Sequence, residues 1–168
     1  LQFTDTEKWN MVPIGMQLYD GLSGIAVFLA AYQKEFADTA SADLLEKVKR
    51  RLFVYTDMER SPEDKNGKNG MMEGGSSIAA AYLMLYEITG EMDYLRYAEK
   101  QFQKVEDLCG QSDDYMGGRA GQLLLALKLY KNIENKQYIE LAKRYEKKLW
   151  EHSFIAVKGV GWKTCDGP

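Results

Sequence analysis

Leu18 to Tyr32 reads LYDGLSGIAVFLAAY, an apolar run whose first turn carries two glycines, Gly21 and Gly24. Glycine in a helix interior costs about 0.5–1 kcal/mol relative to alanine, so the pair points to a requirement of the backbone. The same arrangement returns further along the chain. A shift of 44 residues places Gly74 on Gly118, Leu83 on Leu127, Leu85 on Leu129, Tyr86 on Tyr130, Tyr94 on Tyr138 and Ala98 on Ala142. Gly21 stands 53 residues before Gly74, and the polar loop ERSPEDKNGKNG, Glu59 to Gly70, takes up the additional nine. A fixed period of this kind is the signature of a repeat architecture.

Working outward, six helical segments are predicted: about 21–36, 41–58, 75–89, 93–109, 118–130 and 136–150. Ser41 is placed to cap the second, and Leu44, Leu45, Val48, Leu52 and Tyr55 share a face of it. Gly90 marks the end of the third, and Leu95, Ala98, Phe102, Val105 and Leu108 form the apolar stripe of the fourth. The tail SFIAVKGVGWKTCDGP reads as a short extended segment or loop. Apolar helices that open with glycine alternate with charged, amphipathic ones. The former suit an inner layer, the latter an outer layer in water, and the predicted fold is all-α: an α/α toroid, or an arc of one, with about three helix pairs. The glycines are expected to let each inner helix start at an unusual dihedral and approach its neighbour closely.

Composition narrows the function. With 168 residues, 45 % hydrophobic and 28 % charged, the chain suits one globular domain. Acidic residues (25) outnumber basic ones (22), and the basic ones are dispersed, which argues against nucleic acid as a partner. The runs IAVFLAAY and IAAAYLMLY are too short to span a bilayer. Two cysteines, Cys109 and Cys165, and one histidine, His152, suit a reducing cytosol. All three are zinc-ligand types, yet none has the short paired spacing of a closed zinc site, so no metal site is predicted. Because the chain opens on Leu1 and closes on Asp166-Gly167-Pro168, it is expected to be a piece of a larger protein.

LYDGLSGIAVFLAAY, GGSSIAAAYLMLY and DYMGGRAGQLLLALKLY resemble, in order, the first three glycine motifs of the lanthionine synthetase C-like cyclases. The first is most similar to the cyclase region of bifunctional class II (LanM-type) lanthipeptide synthetases, and the second departs from the pattern with Ser77 where glycine is common. The resemblance implies an α,α-barrel that joins peptide cysteines to dehydrated serine or threonine in a ribosomal precursor peptide. It also implies zinc in the complete cyclase, held by W-C-x-G and C-H-G motifs that this sequence lacks, so that no cofactor is expected here and the piece by itself is expected to be inactive. The third motif's opening aspartate corresponds to Asp114, four residues before Gly118, which makes Asp114 the implied catalytic residue. Gly21, Gly24, Gly74, Gly118 and Gly121 form the motifs' structural positions. Arg119 lies beside them, where it can meet a carboxylate or peptide or make a helix-end salt bridge.

Two other readings compete. A tetratricopeptide-like binding module would account for DYLRYAEKQFQKVEDL, although the spacing of 44 to 53 exceeds the usual ~34. A toroidal glycosidase would need a separated pair of carboxylates, and only Asp113 and Asp114 stand together. On the toroid reading the ragged edges of an arc are expected to make the chain self-associate and to meet the rest of the synthetase.

Overall fold

The computed structural model describes residues 2–3, 9–10, 13–58, 68–105 and 112–162. Six helices pair into three hairpins: α1 (Leu22–Phe36) with α2 (Thr39–Asp57), α3 (Gly75–Thr89) with α4 (Met92–Val105), and α5 (Arg119–Ile133) with α6 (Lys136–Glu151). α1 packs on α3 and α3 on α5, forming the inner layer of an α/α-toroid arc, while α2 and α4 lie outside them. β1 (Gln2–Phe3) pairs antiparallel with β2 (Trp9–Asn10), and β3 (Phe154–Ala156) with β4 (Gly159–Gly161), so the expected extended tail is a small hairpin.

Layer position explains the residue patterns. α3, covered on both sides, buries Ile78, Ala81, Tyr82, Leu83 and Leu85 around most of its circumference. The outer helices bury one stripe each: Leu45, Val48 and Leu52 in α2, Tyr94, Ala98 and Phe102 in α4, Tyr138, Leu141 and Tyr145 in α6. Leu44 departs from expectation, being 48 % exposed at the edge of its stripe. The expected cap at Ser41 is corrected too. Asp38 caps α2, its carboxylate accepting the Ser41 N–H at 2.7 Å, and the helix begins at Thr39. α5 continues to Ile133, three residues beyond expectation. Cys109 and Leu108, placed by sequence in the fourth helix, lie outside the described residues, as do Cys165 and most of the polar loop.

The repeats are joined at the inner-helix N-termini by main-chain bonds between equivalent residues. Tyr19 N–H donates to the Met72 carbonyl (3.1 Å), and Met72 N–H donates to the Met116 carbonyl (3.0 Å), each residue occupying the same place in its own repeat. Met71 N–H also donates to the Tyr115 carbonyl (3.1 Å). Where the second and third repeats touch, the helix start behind them has no room for a side chain. A Cβ on Gly121, in the first turn of α5, would run into the Tyr115 carbonyl and the Met71 nitrogen. In the middle repeat Ser77 stands at that place and uses its hydroxyl instead, accepting the Leu18 N–H at 3.2 Å and donating to the Gly74 carbonyl at 2.7 Å.

The expectation of an unusual dihedral holds at Gly74 alone, where φ is +77°. Gly21 and Gly118, at φ −124° and −127°, are in ordinary extended backbone, and crowding by neighbouring main chain is what excludes a side chain from them.

Each hairpin turns in the same way. The residue after the inner helix is left-handed and returns its N–H to the carbonyl four residues back: Ala37 to Gln33, Gly90 to Tyr86, Glu134 to Tyr130. Asp38, Glu91 and Asn135 follow, and Asp38 and Asn135 cap the outer helix with their side chains. Of the three left-handed positions only Gly90 suits the conformation, since a Cβ there costs about 1 kcal/mol or more. Ala37→Gly and Glu134→Gly are each expected to raise stability by roughly 0.5–1 kcal/mol, and Gly90→Ala to lower it by a similar amount, in urea unfolding followed by circular dichroism.

Candidate functional site

The turn before α5, residues 112–118, carries three polar side chains that the fold holds differently. Asp114 is half-buried: Oδ1 accepts the Gly117 N–H at 2.8 Å, and Oδ2 accepts the Ser112 hydroxyl. Burial works against its charge, but the hydrogen bonds from Ser112 and from the backbone N–H groups of Gly117, Met116 and Asp114 itself outweigh burial and hold the carboxyl below its ordinary value. Asp114 is therefore ionised at neutral pH, and the nearby positive end of α5 favours the same state. The Met116 N–H that faces this carboxylate belongs to the last residue of the inter-repeat ladder.

Asp113 turns the other way, into the protein, and is 7 % exposed. It forms a buried ion pair with Nη1 of Arg119 and meets Nδ1 of His152 at 3.0 Å. His152 caps the C-terminus of α6 and keeps 46 % of its side chain exposed. Nδ1 of His152 thus stands between the Asp113 carboxylate and Nη1 of Arg119, 3.2 Å away. Nε of Arg119 is buried with no hydrogen-bond partner among the described residues.

Asp113 falls at the repeat position of Asn69, 44 residues earlier. Asn69 is also buried, and it donates to the Val105 carbonyl at the end of α4 (2.8 Å) while accepting the Ser76 N–H at the start of α3 (2.7 Å). Both residues tie the loop ahead of an inner helix to the far end of that helix's own hairpin partner. Asn69 does so through its side-chain amide, and Asp113 through its contact with the His152 ring. Sequence reading missed the Asp113–Arg119–His152 cluster because its members lie up to 39 residues apart. The coincidence of Asp113 with the polar Asn69 in the repeat alignment was the available signal.

The motif glycines Gly21, Gly74 and Gly118 precede the three inner helices, with Gly24 and Gly121 in first turns, as the repeat placed them. Arg119 is the first residue of α5, and its guanidinium is turned inward to Asp113. Among the described residues there is no group of three or more His, Cys, Asp or Glu side chains placed to hold a metal ion. No described helix is long and apolar enough to cross a membrane.

Residues 12–161, covering the glycine motifs and all six helices, match the family described as lanthionine synthetase C-like protein. The chain belongs to that family. Among solved structures it is similar to nisin cyclase, with a TM-score of 0.62 at 18 % sequence identity. The match covers 84 % of this chain and 41 % of the cyclase, so the present residues span well under half of that neighbour's length. A search of curated proteins finds no match. Membership in the lanthionine synthetase C-like family displaces the tetratricopeptide and glycosidase readings of the helical repeat.

Removing one member of a buried ion pair strands the other. Asp113→Ala is expected to destabilise the protein by about 3–5 kcal/mol, whereas the double change Asp113→Leu with Arg119→Met recovers most of that loss in urea unfolding. The depressed Asp114 carboxyl contributes stability that is present above the ordinary carboxyl range and is lost as pH falls through its own lower value. Asp114→Asn is therefore expected to flatten the fall in stability below about pH 4, measured as the midpoint of thermal unfolding against pH.

Proposed function

We propose that this chain is part of the cyclase domain of a class II lanthipeptide synthetase, acting on a dehydrated precursor peptide together with the rest of the enzyme in the cytoplasm. Asp114 is its contribution to the reacting centre. The observation that carries the reading is the placement of an ionised, half-buried carboxylate at the head of α5 inside the third glycine motif.

In the proposed reaction a peptide thiol loses its proton, and the sulfur adds to the β-carbon of dehydroalanine or dehydrobutyrine. The π electrons move into the adjacent carbonyl as an enolate, and a proton returns to the α-carbon. The product is a thioether of unchanged mass. An ionised carboxylate has no proton to give in its resting state, so Asp114 enters as an acceptor. A carboxyl held below its ordinary value takes the proton of an ordinary thiol only well uphill, since even an unshifted carboxyl is a far weaker base than a thiolate. The thiol must therefore be acidified by another group.

The described residues do not fit a zinc site, and Cys109 and Cys165 lie outside them. The reading assigns zinc to the W-C-x-G and C-H-G motifs of a complete cyclase domain. Asp114 then orients the thiol by accepting its hydrogen bond and stabilises positive charge gathered at the site. Arg119, committed to Asp113, is assigned to holding the turn rather than to gripping peptide.

The test joins this chain to a C-terminal cyclase half carrying those motifs and supplies a dehydrated cysteine-containing peptide. Ring formation is read as loss of alkylatable thiol without change of mass. Asp114→Asn is expected to slow it by about 100-fold or more while leaving the far-ultraviolet spectrum intact. An unchanged rate would remove Asp114 from the chemistry.

A further inference from the structure

The turn before α5 departs from its repeat at one position. Asp20 and Glu73 stand at equivalent places in the first two repeats, and Gly117 stands there in the third. Gly117 is buried, with side chains of the second repeat lying around the place its own would take. A Cβ on Gly117 would stand 3.4 Å from Oε2 of Glu73 and 3.5 Å from Cγ of Lys68. Main chain fixes both residues there. Asn69 N–H, next to Lys68, donates to the Gly117 carbonyl at 2.7 Å, and Glu73 N–H donates to the Met116 carbonyl at 3.0 Å. Lys68 Nζ meets Glu73 Oε2 at 2.9 Å, and Asp114 accepts the N–H of the same Gly117. A cation from the second repeat is thus held on the turn that carries Asp114, at a seam inside the arc.

We infer that Lys68 is a second residue of the reacting centre, its ammonium group donating a hydrogen bond to the carbonyl oxygen of the dehydrated residue as that oxygen takes up negative charge. The inference rests on the cyclase reading above. Addition of sulfur builds an enolate, and the enolate oxygen is stabilised by a donor or positive charge already in place when the electrons arrive. Asp114 is an anion and Arg119 is turned inward to Asp113, so neither supplies it. The Lys68 side chain is 50 % exposed, which leaves Nζ within reach of a peptide, while its stem lies against the turn. Half-exposed ion pairs are weak, so Nζ can turn from Glu73 to a substrate oxygen. Lys68 stays protonated throughout. The thiol's proton leaves to solvent, sulfur bonds to the β-carbon, and the π electrons pass to the oxygen held by Nζ. They return as the α-carbon takes a proton from solvent, so that nothing is oxidised or reduced.

The test uses the joined cyclase and the dehydrated cysteine-containing peptide described above. Lys68→Met is expected to lower kcat for ring closure by about 100-fold, the loss that follows removal of one oxyanion donor, with KM changed by less than about threefold. Lys68→Arg, which keeps charge and donors, is expected to restore the rate to within about tenfold of the parent. Glu73→Gln separates chemistry from structure, because it breaks the same ion pair and leaves the ammonium in place. A structural pair would lose as much in either variant, whereas Glu73→Gln is expected to stay within about threefold of the parent rate. Equal losses in Lys68→Met and Glu73→Gln would overturn the inference. So would an unchanged rate in Lys68→Met while Asp114→Asn still slows the reaction, an outcome that leaves the cyclase reading standing. A joined protein that closes no ring would overturn that reading and this inference with it.

Discussion

The structure depends on how closely main chain can approach main chain where the inner helices begin. Helix ends leave unpaired N–H groups, and loops leave further polar groups to be satisfied when they are buried. Here the loops of successive repeats satisfy one another, Tyr19 to Met72 and Met72 to Met116, and at the second of these seams a single methyl group on Gly121 would run into main chain. The apolar helices behind this rim can then stack as a layer, and the amphipathic helices cover them. Asp114 lies at the last rung of that rim and takes the Met116 N–H into its own hydration-like shell of donors. The chemistry assigned to the third motif is built on the same main-chain contact that organises the arc.

Much of the architecture was legible because periodicity and glycine placement report on backbone geometry. The three hairpins follow from the shifts of 44 and 53 residues, and the inner and outer layers from the contrast between α3 and α4. Ends of elements were less legible. α5 runs on past Tyr130 because a left-handed turn can be made by Glu134, whose sequence carries no stop signal. Ser41 looked like a cap, yet Asp38, three residues earlier, accepts the N–H of Ser41 and starts the helix sooner. The strained-dihedral explanation of the glycines was right for Gly74 and too general for Gly21 and Gly118, since crowding and φ leave the same mark on a sequence.

The site divides along the same line. Asp114 was singled out by the resemblance of its motif, four residues before Gly118, and its part in the chemistry is a proposal. The partnership of Asp113 with Arg119 and His152 was not legible, since it joins a loop, a helix start and a distant helix end that only the hairpin brings together. Neighbouring aspartates thus have opposite fates. Asp113 is consumed by the interior, while Asp114 stays half-buried and bonded within its own turn.

The tight left-handed turns at Ala37, Gly90 and Glu134 also bear on how the chain acquires its shape. Each closes a hairpin over two residues, so the contacts of a hairpin are local in sequence and can form within microseconds to milliseconds, whereas the rim bonds connect residues 44 to 53 apart. The rim bonds, spanning more of the chain, close loops that the hairpins do not. An arc joined in this way can lengthen its inter-repeat loops, as the first does by nine residues, at a cost that grows only with the logarithm of loop length.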